Sequence, residues 1–129
     1  MTDRIYRSMM DPTASRHGAT VPAGYGDVHV TCGSEREAES IGDVLIRESL
    51  AACVQLHPVR SVFSWDGGVE HDEEIMLVAK TRSDRWDALI AAIETHHGYD
   101  LPAITFVETV PSHRTAAWID EVLDDDREP

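Results

Sequence analysis

Two adjacent histidines, His96 and His97, are the strongest indication of metal chemistry in this sequence. Neutral imidazole nitrogens are common ligands for copper and zinc, and Gly98 and Tyr99 place the pair at a predicted helix end. Because adjacent helical side chains point about 100° apart, both rings reach one ion only if the helix end unwinds. The alternative is structural, with His97 closing an apolar helix stripe and His96 interacting favourably with the helix dipole.

Two cysteines add soft donor atoms. Cys32 ends a predicted strand beside a predicted helix N-terminus, which predicts a lowered thiol pKa and makes it the more reactive of the two. Cys53 stands among small residues and is predicted to be a small buried apolar group. With no paired-Cys motif, and no apolar run near the ~20 residues of a membrane span, the sequence predicts a reduced cytoplasmic setting.

Lys80 is the only lysine in the chain. It falls near the end of a predicted strand with two apolar faces, where a charge needs a partner or a ligand. Glu74 shares its face but lies six residues earlier, at roughly 20 Å, too far to be a direct partner. A functional role toward an anion and a structural ion pair are both open.

The chain carries 24 acidic and 11 basic residues, a formal net charge of −13. Such a field repels phosphate backbones, so the composition predicts no nucleic-acid partner. It would also concentrate cations at the surface, although the same acidity can simply keep a protein soluble. The sequence has no Gly-x-Ser-x-Gly motif and no phosphate-binding loop, which favours a binding protein over an enzyme.

These candidate residues depend on a long β-ribbon predicted over residues 51–81. Asp-Gly at residues 66–67 supplies the positive φ angles of a tight hairpin turn. Residues 75–79 are apolar on both faces, so one helix layer cannot cover the ribbon and association with other copies is expected. Large side chains change face after Pro58, which predicts a bulge or a kink at residues 57–58.

A short strand and an amphipathic helix are predicted before the ribbon. The strand spans residues 27–32, and Ser34 with Glu37 forms a capping box that starts the helix. The inward side of this helix is predicted to carry Ile41, Val44, Leu45 and Glu48. The helix is therefore expected to pack on one face of a sheet.

Two further helices and a strand are predicted after the ribbon. A helix capped by Ser83 or Asp84 is followed by a strand over residues 103–110 and a helix over residues 112–123. The order βαββαβ with an extra C-terminal helix predicts an α+β, ferredoxin-like fold: a four-stranded antiparallel sheet with two helices on one face.

The composition divides the chain into three parts. Residues 1–26 predict a disordered N-terminal extension, without the apolar core of a signal peptide. Residues 27–124 form the predicted domain, and residues 125–129 form a solvated acidic tail.

Four blocks in one order carry a family resemblance. They are residues 50–54 (LAACV), residues 61–67 (S-x-Y-x-W-x-G, with Phe63 for Tyr), residues 74–81 (E-x5-K-T) and residues 97–102 (H-P-Y-E-x-P, with Gly98 for Pro). Over about residues 28–119 the chain resembles the divalent-cation-tolerance proteins, CutA.

The resemblance implies a ferredoxin-like protomer in a homotrimer similar to the PII signalling trimers, with clefts between subunits. It also implies a role in tolerance of divalent metal ions and binding of copper or another divalent cation. The implied metal ligands are His96, His97 and a first-strand cysteine, whose position falls on Val30 here, with Cys32 two residues later on the same strand face as its substitute. The implied ligand-cleft residues are Cys53, Trp65, Lys80 and Tyr99.

Two other readings of the same trimer remain open. One is an enzyme that uses the inter-subunit cleft with Lys80 as acid, base or anion clamp. The other is a structural or signalling trimer without a metal. Since nothing in the residues suggests a substrate, the metal-binding or regulatory role is the working hypothesis.

Overall fold

The computed structural model describes residues 20–125 and contains four strands and three α-helices. The strands are β1 (Tyr25–Cys32), β2 (Cys53–Trp65), β3 (Gly68–Arg82) and β4 (Thr105–Glu108), and the helices are α1 (Glu35–Arg47), α2 (Trp86–His96) and α3 (His113–Leu123). The first 19 residues of the predicted extension, and residues 126–129 of the predicted tail, lie outside the described residues. β1 begins at Tyr25, two residues before the predicted boundary.

The strands form one antiparallel sheet in the order β2-β3-β1-β4, which confirms the predicted ferredoxin-like fold. Alternate residues of β1 and β3 face a core to which α1 and α2 contribute their apolar sides. The fully buried members of this core include Val28, Val30, Ile41, Leu45, Leu77, Ala79, Leu89 and Ile93. We call the side of the sheet on which α1 and α2 pack the helix face, and the opposite side the open face.

The hairpin turn has the predicted two-residue geometry. Asp66 and Gly67 have φ angles of 52° and 80°, and Trp65 pairs with Gly68 across the turn. From there the pairing of β2 with β3 is unbroken to Cys53, so the bulge predicted at residues 57–58 was wrong. Because β2 is an edge strand, half of its backbone N–H groups point away from the sheet and Pro58 is accommodated without one.

The start of α1 follows its capping box with one change. Ser34 is the N-cap and its hydroxyl accepts the Glu37 N–H, whereas the Glu37 carboxylate accepts the N–H of Gly33, one residue before the cap. Ile41, Val44 and Leu45 are buried as predicted. Glu48 is exposed at the C-cap, so its inward placement was wrong, because the helix ends before that turn is completed.

Two other boundaries differ from prediction. Residues Ser83–Arg85 form a 3₁₀ turn before α2, and the Ser83 hydroxyl accepts the N–H of Gly24 instead of capping the helix. β4 has only four residues, which pair with Gly26 to His29 at the start of β1. Ser112 caps α3 through the N–H of Thr115.

The third helix covers one end of the open face. Arg82, at the end of β3, pairs with Asp120 and Asp124 of α3 at 2.9 and 2.7 Å and with Asp84 at 2.9 Å. The Tyr25 hydroxyl donates to the Asp120 carboxylate at 2.8 Å. The open face is therefore uncovered only beyond this end of the sheet.

Replacing Arg82 with methionine should lower the free energy of unfolding by about 1–2 kcal/mol, since three carboxylates lose a shared, largely buried partner. Hydrogen bonds from Arg82 hold the pKa values of Asp120 and Asp124 below their usual range. Their contribution is present above the unfolded carboxyl pKa of about 3.9 and is lost as pH falls through the lowered values. Chemical denaturation at pH 7 and pH 3 should show the deficit shrinking in acid. Arg36→Met, at an exposed position, is the control.

Candidate metal centre

Three side chains that are distant in sequence meet where β1, α1 and α2 come together. Cys32 is the last residue of β1, Glu37 lies in the first turn of α1, and His97 caps the C-terminus of α2. One donor atom from each lies within 4.8 Å of the others. His97 turns back to this place because its backbone leaves the helix with extended angles, φ −85° and ψ 141°.

The orientation of the His97 ring follows from its two hydrogen bonds. Its Nε2 lies 2.7 Å from the carbonyl oxygen of Thr31, to which it donates, and its Nδ1 accepts the N–H of Tyr99 at 3.0 Å. These bonds correspond to the tautomer with the proton on Nε2, in which the lone pair of Nδ1 accepts the Tyr99 N–H. A backbone carbonyl bound to one ring nitrogen is an arrangement that orients the other nitrogen as a ligand, and an ion at Nδ1 of His97 would replace the Tyr99 N–H there.

The Glu37 carboxylate is held between two loops. Its Oε1 accepts the N–H of Gly33 at 3.2 Å and its Oε2 accepts the N–H of Gly98 at 3.0 Å. A Cβ atom added to Gly98 would lie 2.6 Å from that oxygen, so the loop fits closely around the carboxylate. Oε1 is also 3.8 Å from Nδ1 of His97.

The Cys32 thiol has no exposed surface. Burial, reinforced by the negative charges of Glu37 and Glu74, raises its pKa to about 12. The lowered pKa predicted from the nearby helix N-terminus was wrong, because desolvation and two carboxylates outweigh the helix dipole. Cys32 is thus a thiol that becomes a ligand only by losing its proton to a competing cation.

A second hydrogen-bonded group adjoins the cluster through Tyr99. The Tyr99 ring lies 4.6 Å from that of His97, between centroids, and its hydroxyl donates to Glu74 at 2.8 Å. Burial and the bond to Glu74 raise the pKa of Tyr99. Burial alone would raise the pKa of Glu74, but hydrogen bonds from Ser61, Tyr99 and Thr31 outweigh it and lower that pKa. Glu74 also lines an open cleft of about 410 Å³ at the base of the ribbon.

The structure brings together two of the three predicted metal ligands. Cys32 and His97 meet, but His96 is exposed, and its Nδ1 lies 2.8 Å from the carbonyl oxygen of Ala92 in its own helix. Glu37, and not His96, is the third residue of the cluster. It was missed because the capping box already explained it as a helix start, and its contact with the Gly98 loop spans 61 residues.

The four predicted ligand-cleft residues do not meet within one chain. Cys53 and Lys80 are cross-strand partners on the open face, and Asp27 lies opposite Lys80 on the other side. Lys80 makes no ion pair within the described part of the chain. Trp65 is half-exposed at the ribbon tip, roughly 40 Å along β2 from Cys53. Tyr99 belongs to the cluster around His97.

The donor set at Cys32, Glu37 and His97 fits a transition-metal ion. Sulfur, nitrogen and oxygen ligands at about 2.0–2.3 Å from one tetrahedral ion lie roughly 3.3–3.8 Å apart. The 3.8 Å between His97 and Glu37 is already at that spacing, and the whole set is within about 1 Å of it. None of the helices in residues 20–125 is both long and apolar enough to cross a membrane.

Comparison with known proteins agrees with this fold. Residues 27–122 match the family model of the CutA1 divalent ion tolerance protein. The divalent-cation tolerance protein CutA of Archaeoglobus fulgidus is 33% identical over 101 residues, covering 75% of this chain and 96% of that protein. The protein of the same name from Pyrococcus horikoshii is 36% identical over 81 residues, covering 63% and 79%.

A solved structure gives the same result in three dimensions. The structure described as the periplasmic divalent cation tolerance protein CutA from Archaeoglobus fulgidus superposes with a TM-score of 0.75 at 31% identity. The match covers 77% of this chain and 98% of that one. These relatives are named as tolerance proteins and not as enzymes. The chain therefore belongs to the CutA1 family of divalent ion tolerance proteins.

Proposed function

We propose that this protein acts in tolerance of divalent metal ions, copper among them, by binding the ion at Cys32 and His97. The observation that supports this most directly is the meeting of a thiol and an imidazole, both buried, with donor atoms within 4.8 Å. Thiol sulfur and imidazole nitrogen are the donors that copper and zinc prefer. A bound ion would be withdrawn from solution, and the names of the relatives agree with that role.

The proposed assembly is a homotrimer held together by the ribbon. β1 pairs with β3 only as far as Ile75, so the ribbon beyond that point projects from the sheet as two strands. Four large apolar side chains are exposed there: Val62, Phe63, Trp65 and Val69. A lone two-stranded ribbon is only marginally stable in water, so cover from other copies is expected. A trimer would also let Trp65 of one copy approach the cleft residues of another.

The proposal has two further parts, a ligand cleft between subunits and a cellular compartment. Ligand binding in an inter-subunit cleft by Cys53, Trp65, Lys80 and Tyr99 stays a prediction, as does an enzyme that uses Lys80. We assign the protein to a reducing, cytoplasmic compartment. Cys32 and Cys53 support this assignment because they are free and lie on opposite faces of the sheet.

Replacing Cys32 with serine tests the proposed function. The affinity for Cu(I), measured by competition with a coloured chelator, should fall by about a hundredfold because the soft ligand is lost. Cys53→Ser is the matched control, since it removes the other thiol from the open face. Binding to wild type should also tighten by about tenfold per pH unit, since the Cys32 proton must leave. Equal losses in both variants would place the copper elsewhere.

A further inference from the structure

The position of Glu37 is more constrained than a helix cap requires. A capping glutamate needs one backbone donor, whereas this carboxylate accepts two, from Gly33 and from Gly98. The two donors belong to loops that precede α1 and follow α2, so both must be in place to hold the group. The side chain is directed at His97 and Cys32 rather than into solvent.

Three possible ligand atoms lie close together at this place. Oε1 of Glu37 lies 3.8 Å from Nδ1 of His97 and has acceptor capacity left after its bond to Gly33, whereas the single lone pair of Nδ1 accepts the Tyr99 N–H. The Cys32 sulfur is the third atom of the group. A cation bound here would take the Nδ1 lone pair from the Tyr99 N–H and would place a positive charge beside the Glu37 carboxylate.

We propose that Glu37 is the third ligand of the metal centre and that its carboxylate selects a borderline divalent cation of the zinc type over Cu(I). This rests on the proposed function of Cys32 and His97. Cu(I) prefers soft sulfur and gains little from a carboxylate, whereas divalent ions bind mixed sulfur, nitrogen and oxygen sets and gain from the added charge.

The partial exposure of Glu37 allows its carboxylate to contact an ion that enters from solvent. Its side chain is 24% exposed, while that of His97 is 0% exposed and Cys32 is fully buried. A hydrated cation that approaches from solvent therefore meets the carboxylate first. Glu37 thus attracts the ion and then completes its coordination, and removing its charge should weaken binding of divalent ions.

Glu37→Gln in the full-length chain tests the assignment, since it removes the charge while keeping the size and one acceptor oxygen. Competition titrations with Zn(II) and, separately, Cu(I) are expected to show a ~10- to 100-fold loss for Zn(II) and no more than about threefold for Cu(I). Glu35→Gln, the same charge change two residues earlier on α1, should leave both affinities unchanged. Co(II) as a spectroscopic probe should keep its thiolate absorption in Glu37→Gln but with altered d–d bands.

Gly98→Pro provides a second variant if Glu37→Gln does not fold. It removes the N–H that holds Oε2 and adds a Cβ atom 2.6 Å from that oxygen, so the carboxylate must move, while the extended backbone of His97 already suits a residue before proline. Selective loss of Zn(II) affinity is expected here too. Unchanged Zn(II) affinity in the folded variant, or equal losses for Zn(II) and Cu(I), would overturn the role of Glu37 while leaving Cys32 and His97 in place. A wild type that binds neither ion would overturn the proposed function as well.

Discussion

Replacing His97 with alanine should lower the free energy of unfolding by about 2–4 kcal/mol, whereas His96→Ala should change it by less than about 0.5 kcal/mol. The His97 ring is buried and bridges the Thr31 carbonyl and the Tyr99 N–H, so its loss leaves two polar groups without partners beside a cavity. The His96 ring is exposed and bonds only within its own helix. Urea unfolding of the metal-free proteins measures both values.

The same pair of variants separates the two histidines as ligands. Zn(II) should raise the melting temperature of wild type and of His96→Ala but not that of His97→Ala, because an ion stabilises only a native state that binds it. His97→Gln keeps a side-chain N–H for the Thr31 carbonyl, so it should recover part of the stability without recovering the metal effect. If His96→Ala abolishes the metal effect, the end of α2 must unwind on binding, as the sequence pattern allowed.

Local patterns predicted most of the fold. Asp66-Gly67 specifies its turn through the φ angles of two residues. Ser34 caps α1 through a hydrogen bond from the N–H of Glu37, three residues later in the chain. The bulge at Pro58 was wrong because local sequence does not show that β2 is an edge strand, where proline needs no bulge. Whether a proline disrupts a strand depends on the strand's neighbours, which is a property of the whole sheet.

The candidate site was predictable only in part, for the same reason. His97 and Cys32 were identified by residue type, but their meeting depends on the contact between α2 and β1, and the role of Glu37 depends on a loop 61 residues away. The pKa of Cys32 was predicted in the wrong direction because its burial and two acidic neighbours are tertiary features. The residue types indicate which chemistry is available, and packing decides which groups are accessible and charged.

The second prediction with a large expected effect concerns Trp65 at the tip of the ribbon. Trp65→Ala should dissociate or weaken the proposed trimer, shifting the midpoint of dissociation by about thirtyfold or more, since an interface tryptophan commonly contributes 2 kcal/mol or more. Half of the Trp65 surface is exposed in the single chain, and its cross-strand partner Gly68 offers no side chain to cover it. Light scattering across a dilution series measures the mass of the assembly directly.

Trp118 supplies the matched control for that experiment. It is 42% exposed, against 50% for Trp65, so Trp118→Ala removes a comparable apolar surface from α3 rather than from the ribbon. A wild type that scatters as a trimer, a dissociating Trp65→Ala and an intact Trp118→Ala would together place the contact on the ribbon. Dissociation by Trp118→Ala alone would move the interface to α3, and a monomeric wild type at micromolar concentration would contradict the trimer. The exposed apolar side chains at Val62 and Val69 would then have no cover from a second copy.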